Sequence, residues 1–107
     1  MTRFGNPDSY IKILNRSMYT VEVKFRVDND VMRTYAVVNS GADATVTINF
    51  DIEGKPSKEI HMITGQYLDF NNWRALNATP VSKRIGSSQT YTLLIEGHFT
   101  APSMSWA

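Results

Sequence analysis

"YTVEVKFRV", residues 19–27, sets Tyr19, Val21, Val23, Phe25 and Val27 against Thr20, Glu22, Lys24 and Arg26. Successive side chains of a strand point to opposite faces, so this alternation buries one face and wets the other, as a half-buried β-strand requires. The pattern breaks at Asp28-Asn29-Asp30, residues whose side chains hydrogen-bond their own backbone and tolerate left-handed geometry. "VMRTYAVV" (31–38) resumes directly, so the two segments read as a hairpin.

Working outward, "NSGAD" (39–43) makes the next turn, and "ATVTINFDI" (44–52) alternates again with Ala44, Val46, Ile48, Phe50 and Ile52 on one side. "EGKPS" (53–57) interrupts the chain with Gly54 and Pro56, and "KEIHMIT" (58–64) gives a shorter strand with Ile60 and Met62 inward. "TPVSKRI" (79–85) alternates around Val81, Lys83 and Ile85, with Pro80 marking a strand start or an edge. After the turn "GSSQ" (86–89), "TYTLLIEGHF" (90–99) points Tyr91, Leu93, Ile95 and Phe99 inward; "YIKILN" (10–15) adds a strand near the N-terminus. About seven short strands with turn signals every 8 to 12 residues predict an all-β fold, a small antiparallel β-sandwich of jelly-roll or Greek-key type. One domain spans residues 1–107, with 1–9 and 100–107 as terminal arms.

The chain has 107 residues, enough to remove roughly two thirds of its unfolded surface from water without a disulfide or metal staple. Hydrophobic residues at 42% and charged residues at 20% argue against disorder and against a coiled coil. The net charge is +1 and the basic residues are scattered, so no footprint for a phosphate backbone is visible and no nucleic-acid partner is expected. Absence of cysteine excludes disulfides, thiolate metal sites and thiol nucleophiles. "MTRFGNPDSY" (1–10) contains no apolar signal-peptide core, and runs such as "YAVV" and "LLI" are far too short to span a bilayer. The chain reads as soluble with no export signal; an extracellular location would follow from lysis, a signal-independent route or removal of a leader. Asn15-Arg16-Ser17 and Asn77-Ala78-Thr79 fit the glycosylation sequon and are read as coincidence.

The stretch "GQYLDFNNWRAL" (65–76) raises a separate question. Tyr67, Phe70, Trp73 and Leu76 recur every three residues, so a short helical or 3₁₀ turn or loop near 66–76 would align them, with Asp69, Asn71, Asn72 and Arg74 elsewhere. One reading makes the segment a cap whose rings finish the core. The other leaves it exposed as a recognition loop, in which Tyr67, Phe70, Asn71, Asn72, Trp73 and Arg74 bind a glycan or a lipid head group. Aromatic faces stack on sugar or choline, amides and guanidinium bond hydroxyl or phosphate, and Tyr and Trp favour the membrane interface.

Glu59-Ile60-His61 and Glu96-Gly97-His98 repeat a Glu-x-His pattern, and alternation puts Glu59, His61, Glu96 and His98 on wet faces. If the two strands were neighbours, these would be zinc ligands by type, or an acid and base pair; an exposed sheet face is ordinarily charged, which sets plain surface ahead of a metal site. Asp28-Asn29-Asp30 lacks the glycine and glutamate that complete an EF-hand loop. There is no Gly-rich phosphate loop and no G-x-S-x-G elbow. Neither an enzyme nor a cofactor is expected.

Phe4 and Trp106 lie near the two ends, which either fold back over the sandwich or dock on a neighbouring subunit; tails and edge strands together suggest a homo-oligomer. The opening "IKILNRSMYTVEVKF" (11–25), about a seventh of the chain, is similar in style to the first strands of aegerolysin-like and other small cytolysin or lectin-type β-sandwiches, which also tend to start with a strand broken by Asn-x-Ser/Thr. The resemblance implies a sandwich and carries over no functional residue. The leading expectation is a non-catalytic binding protein presenting residues 65–76 to a membrane lipid head group or glycan, as a lectin or a component of a membrane-active toxin. The competing expectation is a structural subunit of a virion or an extracellular appendage.

Overall fold

Alternation resolves into nine strands in the computed structural model, which describes residues 8–50, 57–69, 71–75, 82–97 and 103–107. They are β1 (Ser9–Asn15), β2 (Val21–Val27), β3 (Arg33–Val38), β4 (Asp43–Ile48), β5 (Ser57–Asp69), β6 (Asn72–Ala75), β7 (Ser82–Gly86), β8 (Thr90–Glu96) and β9 (Ser103–Trp106). One sheet has the order β4-β1-β8-β9; the other has β3-β2-β5-β6, with β7 also paired to β5. No helix forms among the described residues.

A single apolar cluster joins the two sheets. Ile11, Ile13, Val46, Ile48, Leu93, Ile95 and Met104 come from the four-stranded sheet, and Val21, Val23, Phe25, Val38, Ile60 and Ile85 from the five-stranded sheet. Val21, Val23, Phe25, Val46, Ile48, Ile60, Leu93 and Ile95 are inward positions that period two assigns, and the all-β sandwich is the observed architecture. Ile52, Val81 and Phe99 lie outside the described residues, as do Phe4 and Leu76.

The pairing is antiparallel except between β1 and β8, which run parallel with Ile13 opposite Leu93. A parallel pair needs a long crossover. Here the crossover runs from β2 to β7 and contains the whole five-stranded sheet. Turn chemistry places the sheet changes. Gly41 (φ 78°) sits between β3 and β4, Ser88 (φ 58°) between β7 and β8, and each turn carries the chain from one sheet to the other. The expected hairpin at 28–30 forms between β2 and β3. Asp28 adopts φ 51°, its N–H donates to the Glu59 carbonyl at 2.7 Å, and its Oδ1 accepts from the Glu59 N–H at 2.9 Å, which pins the turn to β5.

Several details differ from expectation. The described residues form nine strands rather than about seven. "KEIHMIT" and the following "GQYLD" form one 13-residue strand, β5. Among the described residues of 66–76 no helical turn forms: residues 66–69 end β5 and Asn72–Ala75 form β6 opposite them, while Tyr67 packs against the core. Within the C-terminal segment, for which folding back was one of the two readings, Ser103–Trp106 pairs as β9 along β8, burying Met104 and packing Trp106 against the core. Ser9, assigned to the N-terminal arm, is fully buried as the first residue of β1, where its hydroxyl donates to the Gly86 carbonyl.

Candidate functional site

The β5–β6 hairpin is built by its register. Gln66, Tyr67, Leu68 and Asp69 oppose Ala75, Arg74, Trp73 and Asn72. The Asp69–Asn72 pair leaves a two-residue connection at 70–71, and its second residue, Asn71, takes φ 68°. Two-residue hairpin loops demand positive φ, which asparagine adopts more readily than most residues. Phe70 lies outside the described residues.

Two strands of period two joined by such a turn do not align residues three apart. Residues directly opposite each other share a face, so Tyr67 goes with Arg74 and Leu68 goes with Trp73. Tyr67 is half-buried, opposite the buried Val21, and its ring meets that of Tyr19 at 4.4 Å between centroids, tilted by 32°. Trp73 and Leu68 form a cross-strand apolar pair on the outer face, 44% and 36% exposed. The structure therefore separates Tyr67 from Trp73, which the three-residue spacing had placed together. It brings to Trp73 a partner, Leu68, that the spacing passed over. Asn71, Asn72 and Arg74 are exposed around the turn.

Neighbouring loops complete this end of the sandwich. Leu68 N–H donates to the Thr20 carbonyl at 3.0 Å, and Thr20 Oγ1 donates to Asn39 Oδ1 at 3.3 Å. Met18, two residues before Thr20, is 69% exposed. Beneath them sits Asn15, fully buried at the end of β1. Its Nδ2 donates to the Tyr19 carbonyl at 2.8 Å and the Val38 carbonyl at 2.9 Å, while its Oδ1 accepts from the Ser17 N–H at 3.0 Å and from the Ser17 hydroxyl. One amide thus holds the 16–20 loop to the end of β3. With its nitrogen so engaged, the Asn15 sequon cannot accept a glycan in the folded chain; Asn77 lies outside the described residues. Burial, and then the neighbouring Tyr67, push the Tyr19 phenol above its ordinary value of 10.

The Glu-x-His pairs fall apart by topology. Glu59 and His61 lie on β5 of the five-stranded sheet, whereas Glu96 lies on β8 of the four-stranded sheet. Ile60 and Ile95 face the shared core, so the flanking Glu59, His61 and Glu96 point away on opposite outer faces. His98 lies outside the described residues. Among the described residues no three His, Asp or Glu side chains converge on one point. His61 instead has Ser82 across the ladder, Ser82 Oγ to His61 Nδ1 at 3.4 Å, and Glu59 beside it, Nε2 to Oε1 at 3.5 Å. That is a serine–histidine–carboxylate order, but its separations exceed the about 2.6–3.2 Å of a working relay. Arg84 also engages the Glu59 carboxylate, at 3.2 Å.

No family model matches the sequence, and no curated protein matches it. Its fold does have solved counterparts. The human-specific toxin intermedilysin superposes with a TM-score of 0.55 at 9% identity over 94% of this chain and 23% of that one. Listeriolysin O gives 0.54 at 12% identity over 94% and 22%, and pneumolysin gives 0.56 at 9% over 94% and 23%. These neighbours are cytolysin toxins, and the chain spans about a quarter of their length. At such identities the likeness is one of fold alone.

Proposed function

We propose that this domain is a non-catalytic binding module that applies its hairpin end to a membrane surface, engaging lipid head groups or the glycans they carry. The observation that carries the reading is the Leu68–Trp73 pair: two large apolar side chains held face to face on a rigid ladder and left in water. Exposed Met18 extends from the adjoining loop, and the exposed Asn71 at the turn supplies an amide for phosphate or hydroxyl groups. Tryptophan at such a position suits the interface, where one edge of the ring is wet and the other apolar. A toxin-like role is supported by the fold shared with cytolysin toxins.

The test is co-sedimentation with phosphatidylcholine vesicles, with and without glycolipid. Binding by the wild type, weakened at least tenfold by Trp73→Ala or Leu68→Ala, is expected, because losing about 1.4 kcal/mol of apolar contact is a factor of ten. Binding unchanged in both variants would refute the reading. An oligomer in solution that buries Trp73 would favour the structural-subunit alternative, for which the edge strands β3, β4 and β9 offer backbone groups.

A further inference from the structure

On the side of the sandwich away from β3 and β4, both sheets end in strands that are open among the described residues: β9 is the last strand of the four-stranded sheet, and β7 pairs with β5 alone. Lys83 lies opposite Ile60 in the β5–β7 ladder, two residues before the buried Ile85, so it points into the space between the sheets. Its Nζ sits 5.4 Å from the Tyr91 ring centroid and 5.9 Å from that of Trp106. Those ring faces attract a cation without neutralising it. Among the described residues no carboxylate pairs with Lys83, and the buried Trp106 Nε1 has no acceptor.

The backbone at this edge is equally specific. Ala107 N–H donates to the Thr92 carbonyl at 2.9 Å, one step beyond the Leu93–Trp106 pair in the β8–β9 register. Opposed residues of an antiparallel ladder alternate between pairs that exchange both hydrogen bonds and pairs that exchange none. Thr92–Ala107 is of the first kind, so Leu93–Trp106 and Ile95–Met104 are of the second. The N–H and C=O groups of Met104 and Trp106 therefore point away from β8, toward the open edge. Met104 and Trp106 are also the residues of β9 whose side chains pack on the core. Unpaired edge groups of this kind are a template for a further strand.

We infer that the β9 edge receives an extended acidic segment of a partner protein as an added antiparallel strand. A residue that exchanges both backbone bonds with Trp106 carries its side chain on the same inward face, with Cβ atoms about 5 Å apart. Lys83 is the neighbouring charge there, so a carboxylate at that position gains an ion pair that an amide or a cation does not. Two residues further along the antiparallel partner, the side chain falls beside the buried Met104 and is aliphatic. The recognition signature is thus an acidic residue followed two positions later by an aliphatic one in an extended run. This edge is separate from the outer-face pair Leu68 and Trp73.

The experiment is an amide NMR titration of the full ¹⁵N-labelled chain with a blocked peptide, Thr-Val-Thr-Glu-Thr-Val-Thr, and with its counterpart carrying glutamine in place of glutamate. Saturable shifts at residues 82–84 and 103–107 are expected with the glutamate peptide, and the glutamine peptide should bind about tenfold more weakly. Lys83→Met keeps an unbranched apolar stem and should bind the two peptides equally, whereas Trp73→Ala should leave the preference unchanged. Equal affinity of the wild type for both peptides, no saturable shift, or shifts centred on residues 33–38 of β3 would overturn the inference. Self-association through residues 103–106 that the peptide fails to displace would overturn it too, assigning the edge to a second copy of the chain. None of these outcomes bears on vesicle binding by the hairpin.

Discussion

Asn15→Asp exchanges a side-chain NH₂ for an oxygen at almost no cost in volume, so its effect isolates hydrogen bonding. Asn15 Nδ2 donates to two backbone carbonyls, of Tyr19 at 2.8 Å and of Val38 at 2.9 Å, at a residue with no exposure to solvent. The substitution faces an oxygen with both. Two net hydrogen bonds at about 1 kcal/mol each disappear, and two buried acceptors are left unmade at about 1 kcal/mol or more each, giving a loss of about 4 kcal/mol. A domain of this size has about 5–15 kcal/mol in total, so the variant should sit near its folding threshold at neutral pH. The sign of the pH dependence follows from the same geometry. Protonation restores one donor, so the new carboxyl's pKa is raised in the folded state above its unfolded value of about 3.9. Its stabilising contribution is present below that value and is lost as pH rises through the folded pKa, so the deficit against wild type should shrink on acidification. Urea unfolding at several pH values measures both. A neutral-pH loss under about 1 kcal/mol, or a deficit that grows on acidification, would refute the assignment of Asn15 as the tie between these loops.

Stability of the wild type should hold up to about pH 10 and decline above it, because the folded-state pKa values of Tyr19 and Tyr35 are raised above 10; a melting temperature already falling between pH 8 and 9.5 through tyrosine ionisation would contradict this. Gly41→Ala should cost about 1–2 kcal/mol through φ 78° alone, since a methyl there meets nothing within 4 Å; thermal unfolding reads the loss. Deleting residues 103–107 removes β9, exposes the edge of β8 and strips away Met104, with an expected loss of about 2–4 kcal/mol and increased self-association on analytical ultracentrifugation.

The core was legible wherever one face is buried and one wet: Val21 to Phe25, Val46 to Phe50, and Leu93 with Ile95 occupy the positions their alternation assigns. Sheet membership was not legible, because the same period two serves a hairpin such as β2–β3 and a crossover such as β3–β4. The parallel β1–β8 pair depends on residues about eighty apart and leaves no local mark. β9 escaped notice because four residues beside a proline carry too short an alternation, although Ser103, Met104, Ser105 and Trp106 do alternate. The composition of residues 65–76 marked the hairpin as unusual without giving its geometry. The coincidence of aromatics at 67, 70 and 73 suggested period three, whereas a two-residue turn inverts the phase of period two and sends Tyr67 inward and Trp73 outward. The meeting of Lys83, Tyr91 and Trp106 was out of reach, since they come from three strands of two sheets.

The central claim, that the hairpin end meets a membrane, is tested most directly by the fluorescence of Trp73 in a Trp106→Phe variant, where Trp73 is the only indole left. The account predicts red-shifted, acrylamide-quenchable emission in buffer that shifts to the blue and becomes protected on adding phosphatidylcholine or glycolipid vesicles. Emission that stays red and fully quenchable with every vesicle, or that is already blue and protected in buffer, would contradict it.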